Sequence, residues 1–387
     1  MSAPVRVAVL GLGQRGLQHL THVWRLQEQG LAEVVALGDA FADNLAEAKL
    51  QKFVPGFASG NIRMTTDFDA LLDTAPDALY VCIPPNLHAG QVVRAAQAGI
   101  HLFVEKPMSL YLDEAIEMDQ AIRDAGILAA VGFQQRYEAR HETVRDFLAD
   151  KRVVMTTYTL HAPLEGHSVK HMHTESAGGP ANRVWTASRA WSGTTMVEAG
   201  IHPLDLWRYW LGDVEWVQAV YVHRPPADVI DGADNPYAYT ALFGFASGAV
   251  GNITLSRLRR VYHSDFGHRL LWTEGQLHLE PAELVAYHYD GPYPPQQTPS
   301  VNEVRHTLPT PPANNATYEI SRAFIQAIAE RAPQWIRSPF GDAMNSLAAV
   351  LAANVSDELG GQRVDVGELL TGGRYARFRA RLVEEVR

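Results

Sequence analysis

Val5-Arg6-Val7-Ala8-Val9-Leu10-Gly11-Leu12-Gly13-Gln14-Arg15-Gly16 is the stretch on which the reading of the fold turns. An apolar run meets a glycine turn spaced GxGxxG, and a helix-period segment carrying Leu17, Leu20 and Trp24 follows it. That order of strand, turn and helix suits a bound pyrophosphate. The first glycine permits the tight turn, the second lets backbone approach the anion, and the third lets the helix pack closely. Free amides at the helix start then face the phosphate charge. Glycine-rich turns are common, so the motif draws its weight from its surroundings.

Apolar runs at 33–38, 77–83, 101–104 and 127–132, with a weaker one near Ile62, alternate with helix-period segments. The alternation predicts a parallel sheet with right-handed crossovers. In 113–125 the side chains of Ile116, Met118 and Ile122 and an acidic start predict a helix covering one sheet face. Ligands in such sheets sit beyond the carboxyl ends of the strands. Asp39 closes the second run, where a carboxylate can bind the adenosine ribose hydroxyls and repel a 2′-phosphate, favouring NAD over NADP. It can equally cap a helix starting near Phe41, and its separation of 28 positions from Gly11 exceeds the usual spacing. The third run stops at Ile83-Pro84-Pro85-Asn86-Leu87-His88, a rigid backbone able to pass under a nicotinamide ribose, with His88 also placed to start the next helix. Another run ends in Glu105-Lys106-Pro107, where the proline bars a helical or ladder continuation and leaves Lys106 facing the cleft.

A chain of 387 residues exceeds one ordinary hydrophobic core, which predicts a Rossmann domain over 1–132 and a substrate-binding and oligomerisation domain over 133–387. Its 47% hydrophobic and 20% charged residues match a folded soluble protein. The net charge of −10 repels phosphate backbones and argues against nucleic acid. Cys82 is the sole cysteine, which excludes an intrachain disulfide and favours the cytoplasm. The sequence has no basic leader, and no apolar run reaches the about 18 residues of a membrane span.

Beyond about residue 150 the runs lengthen, at 153–162, 214–223, 237–245 and 249–258, with Ala246-Ser247-Gly248 as a hairpin turn. An open, mainly antiparallel sheet is expected, giving an α/β chain of two unlike domains. Prolines between Pro292 and Pro312 predict an extended loop, and helical pattern returns at 317–331 and 340–359. The polar stretch 161–191 holds His161, His167, His171 and His173, but no cysteine cluster or HExxH spacing, so no metal is expected. A substrate-covering loop is the more natural reading, with Arg183, Trp185, Arg189 and Trp191 offering hydrogen bonds and stacking faces. Trp207, Tyr209 and Trp210 follow helix spacing and read as core or interface, while the facing of His263 and His268 stays open.

Five ordered motifs together resemble the glucose–fructose oxidoreductase and inositol dehydrogenase (Gfo/Idh/MocA) family over most of the chain. They are the glycine turn, the prolines with His88, Glu105-Lys106-Pro107, Gly132-Phe133-Gln134-Gln135-Arg136 and Glu198-Ala199-Gly200-Ile201-His202. The resemblance implies NAD-dependent hydride transfer at an oxygen-bearing carbon of a sugar, polyol or related ring, in a homodimer or homotetramer built through the second sheet. It puts the cofactor on Gly11, Gly13, Gln14, Arg15, Gly16, Asp39, Ile83, Pro84, Asn86, His88, Glu105, Lys106 and Gln134. It puts the substrate on Lys106, Arg136, Trp191, Glu198 and His202.

By the same resemblance Lys106, His202 and Glu198 are catalytic. An imidazole with an ordinary pKa of about 6.5 suits exchange of the hydroxyl proton, and an ammonium beside it stabilises developing alkoxide charge. Glu198 and His202 stand at helix spacing with Asp205 beyond, so either carboxylate could orient the imidazole. The family usually has Asp where Glu198 stands, and Pro203 is expected to bend the helix. Two other functions fit the motifs: redox-neutral glycoside cleavage through transient oxidation, and a non-catalytic dinucleotide sensor. The second does not require Lys106 and His202.

Overall fold

A computed structural model describes residues 3–163, 185–229, 232–258, 265–289 and 303–380. Its first sheet has six strands: β1 (Val5–Leu10), β2 (Ala32–Gly38), β3 (Arg63–Thr65), β4 (Ala78–Val81), β5 (His101–Val104) and β6 (Ala129–Val131). Their order is β3-β2-β1-β4-β5-β6, and every pairing is parallel. The order in which the chain adds strands reverses across the β1/β4 boundary, where open α/β sheets place their ligands. Every residue of β4 is buried, as a sheet covered on both faces demands. The helix Leu112–Ala125 covers one face through Leu112, Ala115, Met118 and Ile122, with Ile116 at the margin of that stripe.

The second sheet runs through β7 (Val153–Pro163), β8 (Val214–Val222), β9 (Ala238–Phe245), β10 (Val250–Leu258), β11 (Asp265–Trp272), β12 (Gly275–Leu279), β13 (Leu284–Tyr289), β14 (Glu303–Thr307) and β15 (Val364–Asp365). The order is β14-β13-β12-β11-β7-β10-β9-β8-β15. Only β7 and β10 pair in parallel. The helices Ile201–Leu211 and Phe340–Glu358 bury one face, whereas Val220 and Val222 of β8 and Met155 of β7 are exposed on the other. Trp207 is fully buried under the first of these helices, the core position its spacing predicts.

Packing does not follow a single cut in the chain at 132. The helix Ala316–Glu330 returns to the Rossmann sheet, where Phe324 meets Tyr80 and Phe103 edge-on at 5.6 and 5.7 Å. Ser338 then clasps the end of β6, its carbonyl accepting from Val131 N at 2.9 Å and its hydroxyl donating to Val131 O at 2.7 Å. Among the described residues no helix is long and apolar enough to cross a membrane.

Candidate active site

The turn after β1 is shaped by contacts that exclude side chains. Gly11 has φ +89°, and a Cβ there would lie 2.6 Å from Cys82 O; a Cβ on Gly16 would lie 1.8 Å from Gly11 O. The helix Gln14–Glu28 begins at Gly13 with no side-chain cap and no acidic residue in its first turn. Its positive end is thus left for an anion, and these residues fit a pyrophosphate. Ile83 lies against Gly11, and Pro84 and Asn86 are half-buried around the short turn Pro85–Leu87. His88 is buried behind that turn, and the next helix starts only at Gln91.

Asp39 does not cap the short helix Ala42–Leu45, whose N-cap is Phe41, but its carboxylate is taken up by neighbouring donors. One carboxylate oxygen accepts from Leu12 N at 2.7 Å, the other from Phe41 N and Asn44 Nδ2 at 2.9 Å each. It therefore locks the glycine turn to the end of β2. With three of about four acceptor positions taken, little is left for a ribose hydroxyl.

The geometry corrects the expectation for Glu105. Its carboxylate is buried and accepts from Arg15 Nε and Nη2 at 3.0 and 2.8 Å, from the His19 ring at 2.7 Å and from Lys106 N at 3.1 Å. Burial would raise its pKa, but Arg15 and His19 hold it far below the usual carboxylate range. Glu105 is a strut between β5 and the first helix. Arg15 also donates to Gln134 Oε1 at 2.9 Å, so both side chains belong to that brace. His19, fully buried, is a member that pattern reading passed over, because it occupies an ordinary core position of an amphipathic helix.

Lys106 crosses to the second domain. Its Nζ donates to Glu198 Oε1 and to the Glu198 carbonyl, each at 2.9 Å. An ammonium has three donors, so among the described residues one has no partner and can serve a ligand. Burial raises the Glu198 pKa, but the charge and hydrogen bond of Lys106 outweigh it and hold the carboxyl below its ordinary value.

Glu198 and His202 do not share one helix, contrary to expectation. The short helix Thr195–Glu198 ends, Ala199 and Gly200 turn the chain, and Ile201–Leu211 begins anew. Pro203 falls in the first turn of the new helix, where no amide hydrogen is needed, and so starts a helix instead of bending one. The His202 ring makes no hydrogen bond among the described residues, and Lys106 and Glu198 both act on it electrostatically.

Arg136, expected on the substrate, is engaged by the protein instead. Only 3% exposed, it grips Asp205 through Nε and Nη2 at 2.8 and 2.7 Å, and Nη1 donates to Arg337 O and Asp342 at 2.8 and 2.9 Å. The rigid guanidinium fork matches a carboxylate, and four of its five N–H donors are taken by protein acceptors. Asp205, also bound by Ser346 at 2.8 Å, is thereby unable to orient His202. Trp191 is half-buried on the short helix Arg189–Ser192, which packs on the turn Pro85–Leu87.

Beside His202 opens a cavity of about 170 Å³, lined also by Gln135, Glu138, Arg140, His141, Tyr158, Phe266 and His268. It shares Glu138, Arg140 and Pro281 with a wider cleft of about 520 Å³ that reaches Gln134 and Thr317. Sequence reading missed most of this lining, since the β7/β11 register alone brings Tyr158 opposite His268. Of the histidine-rich stretch, His161 accepts from or donates to Ser256 at 2.9 Å, while His167, His171, His173 and Arg183 lie outside the described residues, as does His263. Among the described residues no three His, Cys, Asp or Glu side chains gather to hold a metal.

Burial pushes the pKa values of His141, His202 and His268 down to about 4, 3 and 3. In the unfolded chain each titrates near 6.5, so below that pH the unfolded state binds more protons and stability falls. Each ring costs up to about 1.4 kcal/mol per pH unit between 6.5 and its folded pKa, less where neighbouring rings share the effect. The urea midpoint should hold steady from pH 8 to 7 and drop steeply from 6.5 to 4.5. A flat profile over that range means that the rings are solvated.

Known proteins give this geometry a context. Residues 5–133 match the family model described as "Oxidoreductase family, NAD-binding Rossmann fold", and residues 166–278 match "GFO/IDH/MocA C-terminal domain". The scyllo-inositol 2-dehydrogenase (NAD(+)) of Bacillus subtilis is 24% identical over 72% of this chain and 75% of its own. The myo-inositol 2-dehydrogenase of Thermotoga maritima is 25% identical over 70% and 74%. A levoglucosan dehydrogenase solved with NADH and L-sorbose shares the fold at TM-score 0.72 and 20% identity, over 95% of this chain and 99% of that one. An oxidoreductase from Agrobacterium radiobacter in complex with NAD+, L-tartaric acid and magnesium does so at TM-score 0.72 and 18% identity, over 94% and 99%. With both halves matched in order on either side of the Lys106–Glu198 junction, the chain belongs to the GFO/IDH/MocA oxidoreductase family and carries its NAD-binding Rossmann domain.

Proposed function

We propose that the chain moves a hydride between NAD and a hydroxyl-bearing carbon of a small, neutral, polyhydroxylated ring. One observation carries the reading: an ammonium at the end of β5, with two of its three donors used among the described residues, lies in the electrostatic reach of an imidazole that makes no hydrogen bond among those residues and lines a small cavity. Bound NAD supplies the hydride acceptor or, when reduced, the donor. The helix start at Gly13 to Gly16 would hold its pyrophosphate, with Ile83, Pro84 and Asn86 beside the nicotinamide half.

His202, neutral at pH 7, can take the hydroxyl proton as the alcohol is oxidised and return it on reduction. The third N–H of Lys106 can bind the same oxygen and stabilise its growing negative charge. Glu198 fixes the ammonium through two oxygens and thereby aims that donor. Three uncharged imidazoles, Gln135 and Tyr158 give the cavity neutral hydrogen-bonding groups, and Glu138 and Arg140 on its wall carry opposite charges, a lining that suits a neutral sugar or polyol. Relatives named for inositols and for a D-glucoside, the last 28% identical in Escherichia coli, support that substrate class.

The test mixes protein and NAD+ with myo-inositol, scyllo-inositol, D-glucose and levoglucosan and follows absorbance of NADH. Reduction with at least one compound is expected. Product without accumulating NADH would favour the redox-neutral route, and NAD binding with no turnover would leave a sensor. The open sheet face, with Val220, Val222 and Met155 exposed, supports pairing of two or four copies, which light scattering measures directly. The lone, half-buried Cys82 suits a reducing compartment such as the cytoplasm.

A further inference from the structure

We propose that His268 is a further substrate-contacting residue, its Nδ1–H held toward the His202 cavity as a fixed hydrogen-bond donor by Trp207. The proposal rests on the reading of that cavity as the substrate site. Trp207 Nε1 donates to His268 Nε2 at 2.8 Å. An indole nitrogen can only donate, so Nε2 must keep its lone pair and the proton of the neutral ring must sit on Nδ1. Trp207 is fully buried, and moving the proton to Nε2 would set two N–H groups against each other with no water to relieve them.

The ring is also held sterically, with Tyr158 edge-on at 5.5 Å and Trp210 tilted against it at 5.8 Å. His268 is 6% exposed, yet it lines the cavity with His202, and its Nδ1 finds no hydrogen-bond partner among the described residues. Burial first, then His141 and Arg140, keeps the ring from charging at neutral pH. A neutral N–H donor in this position recognises an oxygen of the substrate other than the one that reacts. A deoxy analogue leaves the donor empty, and an ammonium at that position has no lone pair to offer. Trp207 is then a positioning residue, acting through the tautomer it imposes.

Two measurements decide the matter. With whichever panel compound reduces NAD+, His268→Phe should raise KM about tenfold, the equivalent of one lost hydrogen bond, with kcat within about threefold. His268→Asn, whose amide nitrogen lies near the Nδ1 position, should recover most of the loss. Removing both ends of the buried bond in Trp207→Phe/His268→Phe should keep the high KM in a folded protein, separating the effect from instability. An unchanged KM in His268→Phe overturns the proposal. Independently, long-range 1H–15N spectra of the NAD-loaded protein at pH 7 should show the His268 proton on Nδ1, and Trp207→Phe should mix the tautomers. A ring protonated on Nε2, or charged, also overturns it. If no panel compound turns over, the proposed function fails, and the nitrogen spectrum alone decides the fate of His268.

Discussion

Replacing Lys106 with methionine should lower kcat by about 10²- to 10⁴-fold while NAD binds as before. Methionine keeps the length and apolar stem of the lysine and removes only the charge and its donors. Two consequences combine. The reacting oxygen loses the donor that stabilises it, and Glu198 loses both the partner and the charge that hold its pKa down. The buried carboxyl then takes up a proton at higher pH than in the parent, so the pH profile of the residual activity should shift upward. Cofactor affinity, followed by quenching of protein fluorescence, should change little, because the glycine turn and the Arg15–Glu105 brace are untouched. Activity within a few-fold of the parent would remove the ammonium from the reaction.

The second large effect is on stability. Arg136→Leu strands Asp205, 2% exposed, against Ser346 alone, and an uncompensated buried charge costs about 3–5 kcal/mol. A urea melt should show that loss. Asp205→Leu in the same background should restore much of it, since exchanging a buried pair for apolar groups is often neutral. Where the single variant still folds, its KM should stay within about twofold, because the guanidinium lies outside the cavity lining. A raised KM with stability intact would return Arg136 to the substrate.

Arg136 illustrates where pattern reading reaches its limit. It follows the junction motif Gly132-Phe133-Gln134-Gln135, a place that resemblance assigns to ligand contacts. What it does is set by Asp205, Asp342 and the Arg337 carbonyl, positions that spacing cannot bring near it. Glu105 shows the same limit, since three of its donors come from the first helix. The later strands escaped for a local reason. β11 reads Asp-Phe-Gly-His-Arg-Leu-Leu-Trp, charged and glycine-broken at its start, and β12 and β13 are short and interleaved with polar residues. Their strand state comes from ladder partners more than from propensity.

The sequence by itself determined the Rossmann half, because its signals are local: an apolar run, glycines where a Cβ would collide with backbone, and prolines at strand ends. It also named Lys106, Glu198 and His202, whose neighbourhood is written in short motifs. Only the tertiary structure decided which polar groups face a ligand and which brace the scaffold. A buried carboxylate or guanidinium looks the same in sequence whether it meets substrate or protein. The difference lies in partners that arrive from far along the chain, and burial makes the absence of such a partner so costly that their geometry assigns the role.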